Sequence, residues 1–147
     1  MKRSMILAVL CATPFVAAGC GGDDDNQALS YEDTGARISE VCASLDEVGT
    51  DLNGEPANDA PILGEAAAEF GEAINEVRDL EVDEELESAR DAFVANGEQQ
   101  LAVIEEAQEI AETGDKKAYR QKLEEGQSLN AESNRVANEL GATDCID

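Results

Sequence analysis

From Tyr31 onward, apolar or half-apolar side chains recur at alternating steps of three and four: Tyr31, Thr34, Ile38, Val41, Leu45, Val48 and Leu52. This spacing keeps them on one face of an α-helix. Ser30-Tyr31-Glu32-Asp33 is a variant capping box, with Asp33 in place of the usual Glu or Gln. Gly49 and Asn53-Gly54 read as the end of this first helix. Residues 50–60 read as a loop. Asp59 followed by Pro61 predicts a second helix capped by Asp59, because proline is tolerated in a first turn. Its apolar stripe is Ile62, Leu63, Ala66, Ala67, Phe70, Ile74, Val77 and Leu80, with Glu65, Glu69, Glu72 and Glu76 toward solvent. Asp83 caps a third, longer helix carrying Leu86, Ala89, Phe93, Leu101, Ile104, Ala107 and Ala111. Gly97 lies inside it and implies a kink or a close helix contact.

Thr113-Gly114-Asp115 ends the third helix and caps a fourth, from about Lys116 to Leu140. The fourth stripe, Tyr119, Leu123, Gly126, Asn130, Ser133, Ala137 and Leu140, is weakly apolar, with Leu129 and Val136 beside it. Gly141 is placed to cap its C-terminus. No strand pattern and no internal repeat is present. Four helices with short connections predict an all-α, up-down-up-down four-helix bundle over residues 30–147. The apolar residues are mostly Ala, Leu, Val and Ile, with aromatics only 3% of the chain, which suits small aliphatic layers between close helices.

The segment before Ser30 follows different rules. Lys2 and Arg3 precede an uncharged stretch from Ser4 to Gly19, whose apolar core is Met5 to Ala18. That length suits a signal peptide and falls short of the roughly 20 residues a membrane span needs. Ala17-Ala18-Gly19-Cys20 then resembles the lipobox of bacterial lipoproteins, where small residues precede an obligatory cysteine. The resemblance implies cleavage after Gly19, removal of residues 1–19, and diacylglyceryl attachment to the Cys20 thiol as a membrane anchor. Ala17 stands where leucine is commoner. An ordinary secretory signal ending at Ala17-Ala18-Gly19 is the alternative. Residues 20–29 read as the lipidated cysteine and a flexible tether, because Gly21-Gly22-Asp23-Asp24-Asp25-Asn26-Gln27 has nothing to bury.

Cleavage would leave eight basic and 34 acidic residues, a formal charge of −26. A surface this acidic is no partner for nucleic acid, whose phosphates require a basic face. The expected place is the outer face of the cytoplasmic membrane, held there by lipid.

Four cysteines are present, of which Cys11 would leave with the signal and Cys20 would carry lipid. The remaining pair, Cys42 and Cys145, reads as a disulfide in an oxidising compartment. The first and last helices of such a bundle are neighbours, so the bridge would pin the tail against the first helix. A redox or metal-binding thiol pair is the alternative, without a CxxC or a histidine to support it. Cys20, the acidic run from Gly21 to Asp25, Cys42, and Gly141 with Cys145 together resemble a loose group of small helical lipoproteins from high-GC bacteria. That resemblance implies no particular activity.

The absence of histidine removes Ser-His-Asp and Cys-His nucleophiles, the commonest zinc ligand, and the Glu-x-x-His pairs of di-iron bundles. No phosphate-cradling glycine loop is present. Asp51-Leu52-Asn53-Gly54-Glu55 superficially suggests a calcium loop, but its glycine is misplaced and Ile62 stands where a bidentate glutamate is required. No metal, no cofactor and no enzyme activity is therefore expected. One local charge reversal stands out. Lys116, Lys117, Arg120 and Lys122 surround Tyr119 and form a candidate docking patch for an envelope protein or an anionic wall polymer. Pairing of these cations with neighbouring glutamates, with Tyr119 in the core, is the competing reading. The expected function is a non-enzymatic binding or interaction module in the cell envelope. The alternative is a carrier or sensor for a small ligand or cation, with its site between helices.

Overall fold

The computed structural model describes residues 28–45 and 51–146. The signal over 1–19, Cys11, Cys20, the tether up to Gln27, and the stretch with Val48 and Gly49 lie outside the described residues. Four helices follow in order: α1 (Tyr31–Ser44), α2 (Pro56–Arg78), α3 (Glu84–Thr113) and α4 (Lys116–Glu139), then a 3-10 turn at Thr143–Cys145. They form the expected helical bundle.

Successive helices are antiparallel, and close contacts fix their register. Gly64, Gly71 and Ile74 on α2 lie against Gln108, Leu101 and Gly97 on α3, a descending order. Asn96, Val103 and Glu106 on α3 meet Ser133, Gly126 and Lys122 on α4 in the same sense. Arg37 on α1 pairs with Glu76 on α2. Gly97 makes a close helix contact: a Cβ there would lie 3.0 Å from Ile74 Cγ1. At about 1.5 Å per residue, the thirty residues of α3 run about 45 Å and span the bundle.

Local chemistry sets the helix ends. The Ser30 hydroxyl caps α1 by accepting from Asp33 N–H at 3.3 Å and donates to the Asp33 carboxylate at 2.6 Å, so the short acid meets the hydroxyl and not the Ser30 backbone N–H that a capping box uses. Asp115 caps α4 by accepting from the N–H groups of Lys117 and Ala118, both at 3.0 Å. Beyond α4, Gly141 takes a φ of 73°, and a Cβ there would meet the Tyr31 ring at 3.0 Å. Glycine alone satisfies both conditions.

Three boundaries differ from the sequence-based expectation. Helix α1 closes at Ser44, with Leu45 as its C-cap. Leu52, assigned to the same stripe, instead packs against the cluster of Ala60, Leu63, Ala107, Ala111 and Tyr119 at the other end of the bundle. Helix α2 begins at Pro56, a turn before the Asp59 cap that the sequence suggested, and Pro61 lies within the helix. Pro56 needs no N–H partner at that first position, which frees the Asp59 side chain for another task. Leu29, placed at the end of the tether, belongs to the folded domain. It donates to Glu81 C=O at 2.7 Å and accepts from Asp83 N–H at 3.0 Å, bridging the α2–α3 turn beside Val82.

The first helix meets the last at its C-terminus and then follows the tail. A Cβ on Gly35 would lie 2.7 Å from Gly141 O, so the two backbones touch. From there the tail climbs α1 in parallel. Asp144 N–H faces Ser39 Oγ at 3.5 Å, and Cys145 is bonded to Cys42 with Cα atoms 5.2 Å apart. The Cys42–Cys145 disulfide therefore holds the tail to α1, as the sequence suggested.

Candidate functional site

The two ends of the bundle are chemically distinct. One end gathers Leu29, the α2–α3 turn and the α4 C-terminus. The opposite end carries the α3–α4 turn, Asn53 to Pro56 and the basic residues of the first turns of α4, Lys116 to Lys122. There the Asp59 carboxylate is fully buried and accepts three hydrogen bonds: from Asn53 N–H at 3.0 Å, Gly54 N–H at 2.8 Å and the Tyr119 hydroxyl at 2.9 Å. A buried carboxylate without such donors would cost several kcal/mol. Asp59 thus ties the loop to α4 and is no helix cap.

This arrangement dissolves most of the suggested docking patch. Tyr119, its intended centre, is 1% exposed and serves the core. Lys122 is half-buried and held by Glu106 at 2.6 Å and Glu125 at 2.7 Å. Lys116 pairs with Glu55 at 2.6 Å. Of the four basic residues of the patch, Lys117 and Arg120 make no ion pair among the described residues, and both are exposed.

Burial first, then the Asp59 hydrogen bond, raises the Tyr119 phenol above its ordinary value of 10.0. Its proton is therefore held in the fold and released on unfolding, so stability is full below pH 10 and falls above it. The expected slope is up to about 1.4 kcal/mol per pH unit. Denaturant titrations from pH 8 to 11.5 check this: the alkaline loss attributable to Tyr119 should vanish in Tyr119→Phe, which should start from a lower plateau.

The second candidate lies between the helices, beneath the disulfide, and residue patterning did not locate it. It is a cavity of about 120 Å³. Val41, Leu45, Phe70, Ile74, Val77 and Phe93 supply most of its apolar wall, and Cys42 and Cys145 contribute too. Its polar wall is one cluster, Asn96 and Gln100 on α3 with Ser133 on α4. Ser133 Oγ donates to Asn96 Oδ1 at 2.5 Å, Gln100 Nε2 donates to the same oxygen at 2.8 Å, and Gln100 Nε2 also donates to Ser133 Oγ. The cluster fixes the α3–α4 register at this level. No charged side chain lines the cavity among the described residues.

The sequence signal for this site was faint. Ser133 was assigned to the inner face of α4, and its polarity was read as a weakness of the stripe. Asn96 and Gln100 were not singled out, although Asn96 is 6% exposed. Asn130, assigned to the same inner stripe, is exposed.

The acidic helices offer little by comparison. Among the described residues no group of three or more His, Cys, Asp or Glu is placed to hold a metal ion. No described helix is long and apolar enough to cross a membrane. No protein-family model, curated protein or solved structure matches this chain.

Proposed function

We propose that this chain is a lipid-anchored, extracytoplasmic, non-enzymatic binding module, whose ligand site is the pocket between the helices. The observation that carries the reading is the pocket itself. The bundle leaves a partly open pocket of about 120 Å³ next to its main apolar cluster, where close packing would otherwise leave little room. Small-molecule sites in helical bundles sit at such places, mostly apolar with a few placed polar groups.

Three further observations support the reading. The Cys42–Cys145 disulfide suits a domain that works in an oxidising compartment. The pocket holds no carboxylate, which favours a small molecule over a cation. The basic residues of α4 are largely occupied by neighbouring acids and Tyr119 is buried, which leaves less for a docking patch. Attachment at Cys20 would bring the chain to the Leu29 end of the bundle and leave Lys117 and Arg120 at the far end.

Filling the pocket tests the reading. Ala73 lies on its wall and is 8% exposed. Ala73→Leu is expected to abolish saturable binding of toluene, used as a probe, and to leave the thermal midpoint unchanged or higher, because it fills a void. Calorimetry with both chains checks it. Equal probe binding by both, or none by the unsubstituted chain, contradicts the reading.

A further inference from the structure

The polar wall of the pocket also carries information about the ligand. Asn96 and Gln100 spend only half of their hydrogen-bonding capacity on the cluster with Ser133. The bonds use Asn96 Oδ1 and Gln100 Nε2. A primary amide offers two donor hydrogens and one acceptor oxygen. That leaves Asn96 Nδ2 as a donor and Gln100 Oε1 as an acceptor, neither bonded to another described side chain. No sealed, unpaired polar atom exists among the described side chains. Asn96, 6% exposed, and Gln100 both line the pocket, so the two spare amide atoms belong to residues of its wall.

The rest of the wall is apolar and uncharged. A formal charge would lose its hydration there without gaining a counter-ion. The adjoining groove, which shares Leu45 and Ala73 with the pocket, carries Glu69, Glu72 and Glu76, and these would repel an anion further.

We infer that the pocket takes a small neutral ligand with an apolar body and one hydroxyl, carbonyl or amide group, which docks against the free amide atoms of Asn96 and Gln100. This rests on the pocket being the binding site. An apolar cavity of about 150 Å³ accepts benzene, so a pocket of about 120 Å³ takes an apolar body of about six non-hydrogen atoms, with the polar group toward Asn96 and Gln100. Phe70 and Phe93 flank it, and Val41, Ile74 and Val77 supply aliphatic contacts. The polar group fixes orientation and distinguishes the ligand from a plain hydrocarbon.

The test uses the purified full-length chain with its disulfide oxidised and four probes built on one benzene ring: toluene, phenol, benzoate and benzylammonium. Calorimetric affinities are expected to place phenol about fivefold or more above toluene, one hydrogen bond's net worth, with both ions at least tenfold below phenol. Gln100→Met keeps the side-chain length and removes the acceptor, together with the donors to Asn96 and Ser133. It should bring phenol and toluene to within twofold while both still bind saturably, which a misfolded variant would not do. Toluene binding without a phenol preference overturns the inference and leaves the pocket as the site. Benzoate or benzylammonium matching phenol also overturns it. Failure of all four overturns the pocket reading and this inference with it.

Discussion

Reduction of the Cys42–Cys145 bridge is expected to lower the free energy of unfolding by about 4–5 kcal/mol, the chain-entropy value for a loop spanning a separation of 103 residues. The effect should be unevenly distributed. Helix α1 has fourteen residues, and a helix of that length is marginal alone in water. Its anchors are α2, through Ile38, Val41 and the Arg37–Glu76 pair, and the tail, through Gly141 and Cys145. The helices α2, α3 and α4 pair over most of their length without the bridge. Amide exchange after reduction should therefore accelerate most at residues 31–45 and 140–146. Val41, Cys42, Leu45 and Cys145 line the pocket, so reduction should also weaken probe binding, and a bound probe should slow reduction by the same linkage. Urea titrations with and without a dithiol, and with Cys42→Ser/Cys145→Ser, measure the loss. A difference below about 1 kcal/mol would show that the bridge follows the fold and does not constrain it.

The second large effect lies at the opposite end. Asp59→Ala is expected to cost about 3 kcal/mol, because it leaves the Tyr119 hydroxyl without its acceptor in a buried place and breaks the part-buried bonds from the Asn53 and Gly54 N–H groups. Asp59→Asn keeps the volume but turns one oxygen into a donor facing donors, and should cost less than Ala. Equilibrium denaturation ranks the variants, and amide exchange at Gly54 shows whether the loop has come away from α4. Both variants lying within 0.5 kcal/mol of the parent, the usual scatter of a surface substitution, would contradict the clamp.

How much of this was legible in the sequence depends on the physics of each part. The helices α2 and α3 are readable because each presents a long apolar stripe at helical spacing, and α4, whose stripe is weak, because it is bounded by signals with a mechanism, Asp115 at its cap and Gly141 at its stop. The disulfide was readable once the lipobox resemblance removed two cysteines from the count. The end of α1 was not. Leu45 and Leu52 keep helical spacing, yet they serve two different clusters, and periodicity cannot tell one stripe from two fragments in phase. Asp59 misled for a related reason. A short acid before a proline reads as a cap, and only the fold brings Tyr119, sixty residues later, to its other oxygen.

The pocket was the least legible part. Periodicity finds the side chains that point inward but does not sum their volumes. A void arises where Ala73, Gly97 and Ser133 meet at one level of the bundle, and that depends on inter-helix register, which no single helix encodes. The same register turns Asn96, Gln100 and Ser133, each an ordinary polar residue in its own helix, into a connected cluster.

Small molecules binding between the helices beneath the disulfide should be visible by methyl-resolved NMR during a phenol titration. Shifts are expected at Val41, Leu45, Ile74 and Val77, saturating with one dissociation constant, while Leu63, Ile110 and Leu123 at the far cluster stay still. Shifts confined to the far cluster or scattered over the surface, or none at all up to the solubility of phenol, would contradict binding beneath the disulfide.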